Sequence, residues 1–268
     1  MPCPYRAIIM NILCIGDIVG RPGREVLAKV LPGLKAEYAV DFVIANGENA
    51  AGGSGILPKQ AEEIFAAGVD VITLGDHVWD RPEIHAYLQD NTRIIRPANF
   101  PDGAPGRGWT VAASAAGVKI GVINLLGSTF MRYNVECPFR MLDKALAEVR
   151  DQTPVSVVDM HAETTSEKVA MGHYADGKVS VVFGTHTHIQ TADEKVFPGG
   201  SAYITDLGMT GPYDSVIGQN KEKIIQRFLT SMPHKFEVAA AAATLHGVVV
   251  SVDTKTGRAQ NITRIQRG

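Results

Sequence analysis

The chain has 268 residues, with 26 Lys and Arg against 28 Asp and Glu and 45% hydrophobic residues. That length can bury a substantial core, and the near-balanced charge excludes both a basic nucleic-acid surface and an acidic disordered tail. Its apolar runs fall far short of the ~18 residues that suggest a membrane span, so no membrane or nucleic-acid partner is expected. No signal peptide is visible, so a cytoplasmic location is expected. Cys3, Cys14 and Cys137 lie far apart, with no C-x-x-C pair, which leaves neither a disulfide framework nor a zinc-finger pattern. Cys14 falls in an apolar run and reads as a core residue.

Residues 1–9 read as an N-terminal extension, ahead of one domain over 10–268 that shows no linker-like break. Ile12 to Ile15 predicts a first strand ending at Gly16-Asp17. Apolar residues at helical spacing (Val26, Leu27, Val30, Leu31, Leu34) predict a helix over 24–35, with Pro32 disturbing its last part. Phe42 to Ala45 predicts a strand that ends at Asn46-Gly-Glu48-Asn49 and enters a glycine-rich loop. A helix over 58–67 follows, with Pro58 in its first turn. Val69 to Leu74 predicts a third strand, ending at Gly75-Asp76-His77.

A short helix over 81–88, a short strand at 94–95 and a Gly/Pro loop at 101–108 come next. Strands are expected over 109–113 and 118–125. Residues 127–140 lack periodicity and carry Phe130, Met131, Tyr133 and Phe139; a lid, a subunit contact or plain core packing all fit. A helix over 141–150 and a strand over 155–158 lead to Asp159-Met-His161. A short helix over 166–171, with Thr165 as candidate cap, precedes an apolar run from Val179 that stops at Gly184-Thr-His186-Thr-His188. A strand near 202–205 ends in Asp206, residues 208–218 read as loop, and a helix is expected over 221–229. From Phe236 to Ile265 the pattern returns to strand, with a hairpin turn at Lys255-Thr-Gly257. The alanine run at 239–243 favours helix on propensity alone, but strand fits its surroundings better.

The alternation of strand and helix through residue 190 predicts an α/β fold. An isolated His-x-His fits a surface pair in a turn as well as a metal site. If extended, its two rings would share a face, because strand side chains alternate with period two. The wider pattern changes its weight. Asp17, Glu48, Asp76, His77, His161 and the pair His186/His188 each follow an apolar run at its carboxyl end, the edge where sites form in open α/β sheets. Carboxylates, imidazoles and the amide of Asn49, with no thiolate, suit manganese, iron, zinc or similar ions. The set exceeds the four ligands of one tetrahedral ion, and two ions sharing a carboxylate account for the surplus. Such a pair, ~3.5–4 Å apart, can hold a bridging hydroxide and clamp a phosphoryl group for in-line displacement. His77 is then most useful off the metals, as a proton donor near the leaving oxygen; an extra ligand or an orienting residue is its alternative. His85, His173, His234 and His246 read as surface or packing residues.

Seven segments carry a resemblance: Gly16-Asp17-Ile-Val-Gly20-Arg-Pro-Gly23, Asn46-Gly-Glu48-Asn49-Ala-Ala, Gly75-Asp76-His77-Val-Trp-Asp80, Arg96-Pro-Ala-Asn-Phe, Asp159-Met-His161-Ala-Glu163-Thr-Thr-Ser-Glu167-Lys, Gly184-Thr-His186-Thr-His188 and Asp206-Leu-Gly-Met-Thr-Gly-Pro-Tyr213. Together they resemble the YmdB-like metallophosphoesterases of the calcineurin-like superfamily, from about residue 10 to the end. The resemblance implies a four-layer α/β/β/α sandwich of two mixed sheets flanked by helices. It also implies a dinuclear centre, iron or manganese first with zinc or magnesium as alternatives, and hydrolysis of cyclic-nucleotide phosphodiesters, with 2′,3′-cyclic forms favoured. Carried over by position, Asp17, Glu48, Asn49 and His188 would hold one ion and Glu48, Asp76, His161 and His186 the other, with His77 as the proton donor. A small phosphodiester is the expected partner, and a homo-oligomer is compatible.

This chain has Val19 where the wider superfamily has a His, as is typical of YmdB-like members. It departs from that family in having Asp76 where an Asn is usual, and in the alanine run at 239–243. Phosphomonoester hydrolysis on the same fold, or a metal-bound regulatory protein acting through a partner, are the competing readings.

Overall fold

The computed structural model describes residues 9–233 and 235–268. In chain order the elements are β1 (Ile9–Ile15), β2 (Asp17–Ile18), α1 (Gly20–Glu37), β3 (Phe42–Asn46), α2 (Pro58–Ala66), β4 (Val71–Thr73), α3 (Ile84–Asp90), β5 (Ile94–Ile95), β6 (Trp109–Ala113), β7 (Lys119–Leu126), α4 (Pro138–Arg150), β8 (Ser156–His161), α5 (Thr165–Ala175), β9 (Val181–Thr185), β10 (Lys195–Val196), β11 (Ala202–Ile204), β12 (Met209–Pro212), α6 (Lys221–Thr230), β13 (Ala243–Asp253) and β14 (Ala259–Arg267). Among the described residues, no helix is long and apolar enough to cross a membrane.

The strands form two mixed sheets. One runs β2-β12-β13-β1-β3-β4-β5, with β14 also on β13, and the other runs β10-β11-β9-β8-β7-β6. In each, the central strands are parallel, while β13 beside β1 and β6 beside β7 are antiparallel.

Side-chain alternation builds the layers. Ile12 and Cys14 of β1 join Phe42, Val122, Val157, Val181 and Phe183 in a core drawn from both sheets. The intervening Leu13 and Ile15 turn the other way, against Leu27, Leu31 and Leu34 of α1, Ile64 of α2 and Leu88 of α3. The six-stranded sheet repeats the scheme, with Ile123, Leu125, Val158 and Met160 packed against Leu142 and Leu146 of α4 and Met171 of α5. Two sheets face to face with helices outside each give the expected α/β/β/α sandwich.

Several boundaries differ from the sequence reading. β1 opens at Ile9, which pairs with Asp253, so this residue of the expected extension is in the sheet; residues 1–8 lie outside the described part. α1 spans 18 residues and passes through Pro32. A proline there removes one backbone hydrogen bond, but the buried stripe from Val26 to Leu34 holds the helix against the sheet on both sides of it. At α5 the cap position falls on Thr164, and Thr165 is the first helical residue. β2 and β12 pair in parallel, Met209 opposite Asp17, inside segments that read as loop; each is too short to show periodicity. Of the alanine run, only Ala243 enters a strand. Leu31, Leu34 and Cys14 are buried as expected, and His246, read as a surface or packing residue, is buried and packs inside.

Candidate metal centre

The carboxyl ends of the central strands of both sheets converge. Asp17, Glu48, Asn49 and Asp76 come from the eight-stranded sheet, and His161, His186 and His188 from the six-stranded one. Both sheets are therefore needed to assemble the set.

Glu48, Asp76, His161 and His186 bring one ligand-type atom each to within 4.8 Å of one another. Nε2 of His161 lies 3.1 Å from Glu48 Oε1 and 3.2 Å from Asp76 Oδ1, and Nδ1 of His186 lies 3.4 Å from Asp76 Oδ1. The other expected ligands form an adjoining group. Nε2 of His188 is 3.8 Å from Asp17 Oδ1 and 3.2 Å from Asn49 Nδ2, and that amide nitrogen is 3.3 Å from Glu48 Oε1. Glu48 Oε1 thus touches both groups. Rotating the Asn49 amide by half a turn would present its oxygen to a cation instead.

The His-x-His segment does not reach its geometry as a strand. β9 stops at Thr185, and His186 and His188 both have left-handed backbones, with φ of 98° and 65°. The expectation that period-two alternation aligns the two rings is therefore corrected. A tight loop sends His186 against His161 and His188 towards Asp17 and Asn49. Such backbones persist where surroundings over-determine them. Here the His186 amide donates to Asp17 Oδ2, His188 Nδ1 donates to the Ile217 carbonyl, and Thr187 donates both its amide and its hydroxyl to Asp206.

The set fits a cation. Asp17 is fully buried, and its Oδ1 has no hydrogen-bond partner. Burial raises its pKa, against the lowering that His188 and His161 exert. Burial would lower the His161 pKa, but Glu48 and Asp76 against its Nε2 raise it well above the ordinary value. Buried carboxylates and imidazoles with no Lys or Arg among them are the donor chemistry of manganese, iron or zinc. Gly75 makes room for the cluster, since a Cβ there would sit 2.2 Å from His161 Nε2 and 2.4 Å from Glu48 Oε2.

His77 lies at the edge of this cluster, its backbone amide donating to Glu48 Oε2 at 3.0 Å. Its Nδ1 donates to Asp80 Oδ2 at 2.7 Å. Asp80 also accepts from Ser54 Oγ at 2.5 Å and from Arg132 Nη1 at 2.6 Å.

A family model described as YmdB-like protein matches residues 13–265. A 2′,3′-cyclic-nucleotide 2′-phosphodiesterase of Bacillus subtilis (strain 168) is 48% identical over 256 residues, covering 96% of each chain. The crystal structure of a hypothetical protein from Thermus thermophilus superposes with a TM-score of 0.89 at 39% identity, covering 96% of this chain and 98% of that one. The structure of a novel phosphatase from Mycoplasma pneumoniae gives 0.91 at 36% identity, covering 97% and 94%. The chain belongs to the YmdB-like family.

Within this YmdB-like site, several contributors were not singled out by the sequence reading. Asp159 is buried between the sheets, accepting from Thr73 Oγ1 and Asn46 Nδ2 on one side and Thr185 Oγ1 on the other. Burial raises its pKa to about 6. Its place two residues before His161 on one strand was the available signal. Lys168 and Asp206 form a buried ion pair at 2.6 Å beneath the His186–His188 loop. Asp80 follows His77 by three residues, and Glu163 Oε2 lies 3.1 Å from His186 Nε2. Ser54 and Arg132 come from distant loops, and nothing in their local sequence marks them.

Proposed function

We propose that this protein is a dinuclear-metal phosphodiesterase that hydrolyses small phosphodiesters, 2′,3′-cyclic nucleotides first among them. The observation that carries the reading is the convergence of Glu48, Asp76, His161 and His186, with donor atoms within 4.8 Å, beside the buried, unpartnered Asp17 Oδ1. The chain is a hydrolase of phosphoric esters, and its 48% identity to a 2′,3′-cyclic-nucleotide 2′-phosphodiesterase supports the choice of ester.

In this reading Glu48, Asp76, His161 and His186 would hold one ion, and Asp17, Asn49 and His188 the other, with Glu48 available to both. When bound, two such ions clamp phosphoryl oxygens and bring the pKa of water from ~15.7 towards ~7. The chain's own residues do the rest. Asp159, tied to both sheets, keeps the His161 edge in register with the Glu48 edge. Asp80 accepts a hydrogen bond from Nδ1–H of His77, which fixes the ring and leaves Nε2–H to give a proton to the departing alkoxide. Glu48, Asp76 and Asp80 outweigh burial and raise the His77 pKa, which favours the proton-bearing form that a general acid needs.

The test is metal analysis of the purified protein followed by turnover of 2′,3′- and 3′,5′-cyclic nucleotides, bis-p-nitrophenyl phosphate and p-nitrophenyl phosphate. Diesters should turn over well ahead of the monoester. The Mycoplasma pneumoniae relative is described as a phosphatase, so the reverse order would move the assignment to a phosphomonoesterase on the same site. No turnover of any ester by fully metallated protein would favour a metal-bound regulatory protein.

A further inference from the structure

We propose that Phe130 is the stacking platform for the nucleobase of the substrate, which makes the segment from Gly127 to Cys137 the specificity element of the site. The inference rests on the cyclic-nucleotide reading and adds the part of the molecule that recognises the base.

The segment is tied down at both rims of the metal centre. On one rim, the amide of Gly127 donates to the carbonyl of His161 at 2.9 Å. Just beyond it, the amides of Ser128 and Thr129 donate to Glu167 at 2.8 and 3.3 Å. On the other rim, Arg132 Nη1 donates to Asp80 Oδ1 at 2.6 Å, and the same carboxylate holds His77 through its other oxygen. Phe130 lies between these anchors.

Its neighbours are used for packing. Met131, Tyr133 and Val135 sit against the core, Tyr133 edge-on to Phe100 at 5.3 Å between ring centroids. Phe130 is 86% exposed, the most exposed large hydrophobic residue among those described, and its backbone is left-handed at φ 61°. A bulky residue rarely adopts that conformation. A strained backbone that displays an aromatic ring to water, fixed from both sides beside a catalytic site, is unfavourable for folding alone and points to use by a ligand. Aromatic rings at nucleic-acid sites stack on the π-face common to all bases, which gives a preference for nucleotides over simple esters without strict choice among bases.

The experiment compares hydrolysis of 2′,3′-cyclic AMP and 2′,3′-cyclic CMP with that of a base-free ester, methyl riboside 2′,3′-cyclic phosphate, by the metal-loaded protein. Phe130→Ala should raise KM for both nucleotides about tenfold, equivalent to ~1.4 kcal/mol, with kcat within about twofold and the base-free ester unaffected. Phe130→Trp should restore the nucleotide KM. Phe130→Gly, which removes the ring and relaxes the left-handed backbone, should match the alanine variant and separates loss of the ring from local strain.

Unchanged nucleotide KM in the alanine and glycine variants would overturn the proposal, as would equal losses on the base-free ester. Wild-type protein that cleaves the base-free ester but no cyclic nucleotide would overturn the stacking role while leaving diester hydrolysis in place. Wild-type protein that cleaves neither would remove the cyclic-nucleotide reading itself, and the stacking role with it.

Discussion

Asp80 holds Nδ1 of His77 at 2.7 Å, and its second oxygen is taken by Arg132 at 2.6 Å. The carboxylate is therefore occupied on both sides, and the imidazole orientation depends on a residue outside the metal cluster. Removing the proposed acid, in His77→Ala, should lower kcat for cyclic nucleotides by roughly 10²–10⁴-fold, in the range of general acid catalysis. The metal content should stay at the wild-type level. Asp80→Asn should fall between the two, with the loss in kcat rather than in KM. Full diester turnover in a metal-loaded His77→Ala protein would show that His77 is not the donor.

Asp76 sets the charge of the cluster. Burial opposes its ionisation, but contacts with His161 and His186 hold its pKa well below the usual carboxylate range. In the proposed dinuclear site it would supply, with Asp17 and Glu48, a third carboxylate against two divalent ions, leaving one formal positive charge. Asp76→Asn should therefore bind its metals more weakly and shift the preference from trivalent towards divalent ions. Elemental analysis after dialysis against a chelator, paired with turnover in added manganese, reads both effects. Identical metal content and rates in the two proteins would refute the expectation.

Gly75→Ala places a methyl group 2.2 Å from His161 Nε2 and 2.4 Å from Glu48 Oε2. Both neighbours are buried and held by other contacts, so the centre must distort. The expected outcome is a folded protein, by circular dichroism, that purifies with little metal and has lost most of its activity. Normal metal content would mean that the two strand ends are more pliant than their packing implies.

The Lys168–Asp206 pair is buried at both ends, and Asp206 also accepts from Thr187 and Gly208. Lys168→Met leaves that carboxylate without its cation, at a cost of about 3–5 kcal/mol. Denaturant melts should show the loss in stability. Metal affinity should drop as well, because the same carboxylate fixes the loop between His186 and His188.

His246 stacks on Tyr213 at 4.0 Å, and burial lowers its pKa to about 4. An unfolded histidine titrates near ~6.5. Between these values the unfolded chain takes up a proton that the folded chain refuses, so stability falls as pH drops from about 6.5 to about 4 and this contribution levels off below. His246→Gln should flatten that part of the curve of Tm against pH. Parallel curves for the two proteins would show that another group governs the acid limb.

Much of the candidate centre was legible because each candidate residue follows an apolar run, so Asp17, Glu48, Asp76, His161 and the pair His186/His188 stood out at five strand ends. Asn49 was expected from its place beside Glu48 and joins Asp17 and His188 in the adjoining group. The elements that escaped detection were short or irregular. β2 and β12 have too few residues to display a period. The His186-Thr-His188 loop uses positive φ at two histidines, which no propensity favours. Asp159 shares a strand face with His161, but its partners on the other sheet come from segments far away in the chain, as do the two members of the Lys168–Asp206 pair from each other.

By itself, the sequence determined the α/β class, the alternating faces of the strands and the chemical types of the ligands, because these follow from local periodicity and side-chain chemistry. Only the tertiary structure decided which ligands meet. Asp17, Glu48 and Asp76 stand on one sheet and His161, His186 and His188 on the other, and it is the packing of those two sheets face to face that brings the donor atoms of Glu48, Asp76, His161 and His186 within 4.8 Å and His188 to 3.8 Å from Asp17. The same holds for Arg132 on Asp80 and for the exposed ring of Phe130, whose surroundings are set by contacts between segments far apart in the chain.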